Sequence, residues 1–279
     1  MIILKINKQM LAQTIKWLIW ISQNTLNLLI GRSVRFVVLT PPIFSRQLIF
    51  DFESKKIFSV FIRDIVDYLV IGEIFVYQDY SIKNLSRASD VFNIYQGILE
   101  IGKRPLIIDC GGNSGMATKY FCETYKDAVI ICIEPDDENL LSAKLNNQNE
   151  NVHFIQAGVA NSDLTGNLID PGRGSWGYQI EENSNGAIRL ISIDTILKDP
   201  DFHNCGPLII KVDIEGFENN LFEKNTDWID LFPVMVIELH DWMLPKSANS
   251  QNFLKEVSKR NRDFILNRGN VFSVSNTII

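Results

Sequence analysis

The 279-residue chain is poor in the groups that staple a fold covalently or through metal. Its four cysteines, Cys110, Cys122, Cys132 and Cys205, show neither Cys-x-x-Cys spacing nor the Cys/His pattern of a zinc site, so they read as reduced, mostly buried thiols. No long lysine or arginine run is present, and the formal net charge is −6, which speaks against capture of nucleic acid. No fixed-period repeat or low-complexity tract occurs, which excludes solenoids and propellers. A basic segment followed by a small-residue cleavage site is missing near Met1, so secretion is not expected and a cytoplasmic location is. The most apolar early window, 11–30, is interrupted by Gln13, Lys16, Ser22, Gln23, Asn24 and Asn27, too many polar groups for a membrane span. It reads as an amphipathic helix. Trp17 and Trp20 either pack against the body of the protein or give residues 8–30 a weak peripheral contact with a bilayer.

What is present suits an ordinary globular fold: 46% hydrophobic, 22% charged and 10% aromatic residues. Two regions read differently. Residues 1–104 hold the helix-like run, a Pro41-Pro42 break, a strand-like stretch at 48–52 and a mixed apolar segment at 57–80, together a cap or lead-in. From 105 to 279, continuous apolar runs at 106–109, 129–133, 152–157, 208–214 and 234–239 alternate with helix-like stretches at 118–125, 136–147, 217–228 and 251–260. Continuous apolarity marks strands buried on both faces, and the alternation marks an α/β fold with a mostly parallel, doubly wound sheet. Residues 264–266 and 271–274, around a turn at Gly269-Asn270, supply an antiparallel C-terminal edge.

Chemistry concentrates where the first of these strands ends. Asp109-Cys110-Gly111-Gly112-Asn113-Ser114-Gly115 joins a strand to a helix through a glycine turn, the place where doubly wound sheets bind nucleotide-like ligands. Glycine lets the backbone turn sharply and approach the ligand, and free N–H groups at the helix start face it. Glu134 closes the next strand, 23 residues after Gly111, where a carboxylate can accept from both hydroxyls of a ribose. Two of the three glycines of a dinucleotide fingerprint are missing, and no Gly-Lys-Ser/Thr loop occurs. The remaining pattern, Asp-x-Gly-x-Asn-x-Gly, is an acidic variant of the turn that binds S-adenosylmethionine (SAM), a cofactor without phosphate.

The chain resembles the FkbM family of SAM-dependent methyltransferases. The likeness runs from about 105 to 275 through the turn 109–115, Glu134-Pro135 with Asn139-Leu140-Leu141 and Leu145-Asn146, the segment 193–197, Lys211-x-Asp213-x-Glu215-Gly216-x-Glu218, and Ile237-Glu238-Leu239-His240. It departs at Gly112, where the family usually has alanine. The resemblance implies a Rossmann-like methyltransferase acting on hydroxyl oxygens of sugars, glycans or natural products. It places Asp109, Gly111, Gly112, Asn113 and Gly115 around the methionine part of SAM, Glu134 on the ribose, and Gln156 and Ala157 beside the adenine.

Methyl transfer from a sulfonium is an in-line displacement, helped by positioning and by a base that takes the acceptor's proton. Period two along the strand at 208–214 places Lys211, Asp213 and Glu215 on one side at its C-terminal end. Asp213 is expected to orient acceptor or cofactor, and either Glu215 or His240 to act as base; Glu218 is expected to pair or cap rather than react. Asp213, Glu215, Glu238 and His240 could converge on a divalent ion, but no spacing demands one and no metal is expected. The loop 170–178, with Arg173, Trp176 and Tyr178, is a candidate for acceptor recognition. His153 and His203 lack supporting context. The rival readings are an NAD(P)-dependent oxidoreductase and a SAM-binding paralogue without activity.

Overall fold

The computed structural model describes residues 8–31, 34–172 and 177–277. The chain divides into two compact units, Met1–Gln78 and Asp79–Ile279.

In the first unit, helix α1 (Lys8–Leu29) is followed by strands β1 (Phe36–Val38), β2 (Arg46–Asp51) and β3 (Lys56–Phe61), which pair antiparallel in the order β1-β2-β3, and by helix α2 (Ile65–Ile71). Asp64 caps α2 by accepting from the N–H groups of Val66 and Asp67. Trp20 stacks on Tyr68 with ring centroids 5.6 Å apart and donates to Tyr77 Oη at 3.2 Å. Trp17 donates to the Val38 carbonyl at 3.0 Å. Both indoles therefore face the interior of this unit, which leaves other side chains on the opposite face of α1.

The second unit begins earlier than residue 105. Helix α3 (Ala88–Glu100) lies against β4 (Arg104–Cys110) and β11 (Cys205–Val212), so closely that a Cβ on Gly206 would meet Ile98 at 2.9 Å. Tyr80 packs on Phe121, and Tyr95 on Tyr125. The lead-in expected to reach residue 104 thus ends at 78, and Tyr80, Ile82, Leu85, Val91 and Ile98 are buried in the second unit.

After β4 the chain continues through α4 (Met116–Thr124), β5 (Val129–Ile133), α5 (Asp137–Asn146), β6 (Val152–Ile155), β7 (Gly158–Ala160), β8 (Leu164–Ile169), β9 (Gln179–Glu182), β10 (Ile188–Ser192) and α6 (Ile193–Leu197). Beyond β11 come α7 (Glu218–Leu221), β12 (Val234–Glu238), α8 (Gln251–Ser258), β13 (Arg262–Asn267) and β14 (Asn270–Ser275). The main sheet has the order β13-β14-β12-β11-β4-β5-β6. It is parallel from β6 to β12, and β14 enters antiparallel between β12 and the edge strand β13. The fold is α/β and Rossmann-like, with the antiparallel C-terminal edge that the sequence pattern predicts. Its central strands are buried on both faces, which is why they read as continuous apolar runs.

A second, four-stranded sheet, β7-β10-β8-β9, occupies 158–192, a region the sequence pattern leaves without strands. Its strands are short and largely polar, so neither continuous apolarity nor a long alternation announces them. The segment 217–228, readable as one helix, holds only the four-residue α7 and the start of a 3-10 turn at Asp227–Leu231.

Candidate functional site

The glycine turn is pinned to the end of the neighbouring strand. Gly111 has φ +80°, and a Cβ on it would lie 1.8 Å from the Asp213 carbonyl oxygen, so only glycine allows the two strand ends to touch. Lys211 reinforces the junction. Its Nζ donates to the Gly111 carbonyl at 2.8 Å and ion-pairs with Asp109 Oδ1 at 3.0 Å and Asp213 Oδ2 at 3.4 Å. Burial opposes the charge on Lys211, but Asp109, Tyr80 and Asp213 outweigh it and hold the pKa well above the usual value. Asp109 also accepts from Thr118 Oγ1 at 2.6 Å. Asp109 and Lys211 are thus buried struts beneath the turn.

Beside this turn a cleft opens, walled by Asn113, Glu134, Ala157, Tyr178, Asp213 and Glu215 among others. Glu134 stands at the tip of β5. Its Oε2 accepts from the Asn113 N–H at 2.8 Å, and its Oε1 from the Asp136 N–H at 3.1 Å and Asn139 Nδ2 at 3.2 Å. Burial raises its pKa to about 6 against these donors. Oε1 accepts two donors and Oε2 one, which leaves Oε2 an accepting position toward the cleft. Ile133, Val159 and Ile180 add apolar wall, and the described lining contains no lysine or arginine.

Of the residues expected around the cofactor, Gly111, Asn113, Glu134 and Ala157 line this cleft. The other four are placed differently. Asp109 is the strut described above. Gly112 backs onto β5, where a Cβ would meet Cys132 Sγ at 2.3 Å. Gly115 starts α4 with φ +78° and faces Ala143 and Asn147 of the α5 segment. Gln156 is exposed and donates to the Asp137 carboxylate. Tyr178 is on the cleft wall, while Arg173 and Trp176 lie outside the described residues.

Asp213, Glu215 and His240 do converge. Strand β11 ends at Val212, so Glu215 reaches the cleft through a tight turn, with φ +54° at Glu215 and +100° at Gly216, rather than by strand periodicity. His240 is 1% exposed. Its Nδ1 donates to Glu218 Oε1 at 2.7 Å, and its Nε2 lies 3.6 Å from Glu215 Oε2, 3.7 Å from Asp213 Oδ1 and 3.9 Å from Glu238 Oε1. Burial alone would lower the histidine pKa, but the Glu218 hydrogen bond and the charges of Glu218, Asp213 and Glu215 raise it to about 9. Burial and the Asp213 charge raise Glu215 to about 8 against the opposing effect of His240. Glu215 and His240 thus titrate as a coupled pair beside the cleft, with proton binding favoured in both.

Glu218 is fully buried and also accepts from Asn249 Nδ2, so it orients the imidazole instead of meeting a ligand, in line with its expected pairing role. Asn249 was invisible to sequence reasoning because it sits in a polar loop outside every motif. Asp213, Glu238 and His240 also present ligand-type atoms within 4.8 Å of one another, a donor set that a divalent cation accepts.

The segment carrying this constellation matches the methyltransferase FkbM domain over residues 109–271, more than half of the chain. The chain belongs to the FkbM methyltransferase family. The matched residues begin at the buried strut Asp109, near the end of β4, and end at Val271 of β14, so the match covers the glycine turn, strands β5, β6, β11 and β12, the inserted four-stranded sheet and the acid–histidine cluster. Among solved structures, this FkbM-family methyltransferase is similar to the plantazolicin methyltransferase BpumL, crystallised with S-adenosylhomocysteine (10% identity, 72% of each chain covered, TM-score 0.35). It is also similar to a methyltransferase from Geobacter sulfurreducens (12% identity, 67% of this chain and 78% of that one, TM-score 0.32). No curated protein matches the chain significantly.

Proposed function

We propose that this FkbM-family methyltransferase uses SAM to methylate a hydroxyl oxygen on a sugar, glycan or natural-product-like small molecule. The observation that carries the reading is that a ribose-type acceptor, Glu134, and a proton-holding cluster, Asp213-Glu215-His240, meet at one cleft. The lining fits a cationic, phosphate-free nucleoside. It bears the carboxylates of Glu134, Asp213 and Glu215 and, among its described residues, no basic side chain for a pyrophosphate. Ala157, Val159 and Ile133 offer an apolar seat for a purine, and Oε2 of Glu134 an acceptor for a ribose hydroxyl.

SAM, held by the glycine turn and Glu134, would supply an electrophilic methyl carbon: an acceptor oxygen would form the C–O bond as the C–S bond breaks, and the electron pair would leave on sulfur as the thioether S-adenosylhomocysteine. The chain's part is to hold and deprotonate the nucleophile. Asp213 orients the acceptor hydroxyl at the mouth of the cluster. The Glu215–His240 pair takes its proton; with both pKa values raised, the accepting form of the pair grows as pH rises through about 8. Lys211 acts through Gly111 and Asp213 by fixing the turn, and is a positioning residue.

The test is transfer of a radiolabelled methyl group from SAM to a panel of hydroxylated acceptors, with matched amines, thiols and carboxylic acids. The reading expects base-stable label in hydroxyl acceptors, lost in Asp213→Asn. Label confined to amines, thiols or carboxylates would overturn the oxygen specificity.

A further inference from the structure

Helix α1 presents one face that its own unit does not cover. Leu11, Ile15, Leu18, Leu26 and Leu29 fall on one helical face, with exposed Ser22 between Leu18 and Leu26 and with Ile19 and Ile30 at the margin, and the exposures of the seven aliphatic side chains run from 47% to 79%. The opposite face is engaged: Trp20 is 4% exposed, and both indoles hydrogen-bond inward. Six large aliphatic side chains on the 22-residue helix, with Ile30 just beyond its end, make this face mainly apolar, interrupted at Ser22. No helix among the described residues is long and apolar enough to cross a membrane.

Charge selects its occupant. The only charged residues of α1 are Lys8 and Lys16, both exposed. Over residues 1–34 the sequence carries Lys5, Lys8, Lys16 and Arg32 and no aspartate or glutamate, although the whole chain is net acidic; Arg35, which follows, is buried and paired with Asp51 and Glu53. A second copy docking on this face would bring lysine to lysine with no nearby carboxylate from either helix. An anionic lipid surface offers both an apolar layer for the leucines and negative headgroups for the lysines.

We propose that α1 is an in-plane membrane anchor that docks this protein on anionic bilayers through Leu11, Ile15, Leu18, Leu26 and Leu29, with Lys8 and Lys16 at the headgroups. Because the tryptophans point inward, insertion is shallow and reversible, and binding depends on anionic lipid and weakens with salt. The proposal is independent of the cofactor and acceptor reading, since none of its residues lines the cleft.

The test is flotation of the full-length protein with vesicles of phosphatidylcholine alone and of phosphatidylcholine mixed with phosphatidylglycerol. Three proteins are compared: wild type, Leu18→Glu with Leu26→Glu, and Lys8→Gln with Lys16→Gln. Circular dichroism and melting confirm that each is folded. Binding to the anionic vesicles is expected to exceed binding to neutral ones, to fall at least about tenfold in the leucine variant, and to fall with added salt and in the lysine variant. Equal failure to bind either vesicle, or binding that the leucine variant retains, would overturn it. So would a wild-type dimer that ignores vesicles and dissociates in the leucine variant, because this face would then be an interface between copies.

Discussion

Replacing Glu218 by glutamine removes the charge that holds His240 protonated while keeping the shape of the side chain. In the native site the imidazolium is stabilised by one short bond to Glu218 and by three more distant carboxylates, in opposition to burial. The rise from 6.5 to about 9 corresponds to about 3 kcal/mol of preference for the charged ring. Glu218 supplies the largest upward contributions, so the substitution should lower the His240 pKa by at least about one pH unit, with burial pulling it further down. The linked stability has a definite sign. A histidine whose folded pKa is raised contributes stabilisation that is complete below its unfolded value of 6.5 and is lost as pH rises through about 9. Glu215, also raised, loses its own contribution from 4.5 to about 8 in the same direction, so a global melting curve would mix the two. The clean assay is therefore carbon-edited NMR titration of the imidazoles, with His153 and His203 as internal references and His240→Gln for assignment. A wild-type His240 titrating near 6.5, or a Glu218→Gln protein whose His240 titrates as before, would refute the reasoning.

Other consequences follow from the same contacts. Gly111→Ala should lower the melting temperature by at least about 5 °C and abolish S-adenosylhomocysteine binding, because the new Cβ falls 1.8 Å from the Asp213 carbonyl; calorimetric scans showing an unchanged transition would contradict this. Lys211→Met leaves Asp109 buried without its cation and should cost about 3–5 kcal/mol in urea denaturation, whereas a loss below about 1 kcal/mol would mean that the ion pair is not a strut. Turnover on a hydroxyl acceptor should rise with pH to an inflection near 8, and Glu215→Gln should remove that inflection and slow turnover about 100-fold; a flat wild-type profile would exclude the pair as base.

How far the sequence disclosed this site depended on whether a feature is local. The turn 109–115 and Glu134 were legible because strand, glycines and helix follow one another within a short window, and Glu134 indeed lines the cleft. Asp109, Gly112 and Gly115 share that motif, but the Asp109 side chain and the Cβ positions of the two glycines face packed neighbours, and a pattern of letters does not say which side of the turn a residue faces. Lys211 stood at the right strand end, but its partner carbonyl is on Gly111, one hundred positions earlier, so its role as a strut needed the sheet to be assembled. The same holds for Asn249 on Glu218, and for Tyr80 and Ile98, which look like lead-in residues until α3 is seen against β4 and β11. The inserted sheet at 158–192 was missed because strands of three to six residues bordered by polar positions carry too little pattern.

Whether the cleft at Glu134 holds SAM is decided by calorimetric titration of the purified protein with S-adenosylhomocysteine, with NAD as the comparison ligand and Glu134→Ala as the control. The account predicts a Kd on the order of micromolar for S-adenosylhomocysteine, no binding of NAD, and at least about tenfold weaker binding when the carboxylate is removed. A folded wild-type protein that takes up NAD, or that ignores S-adenosylhomocysteine altogether, would contradict it.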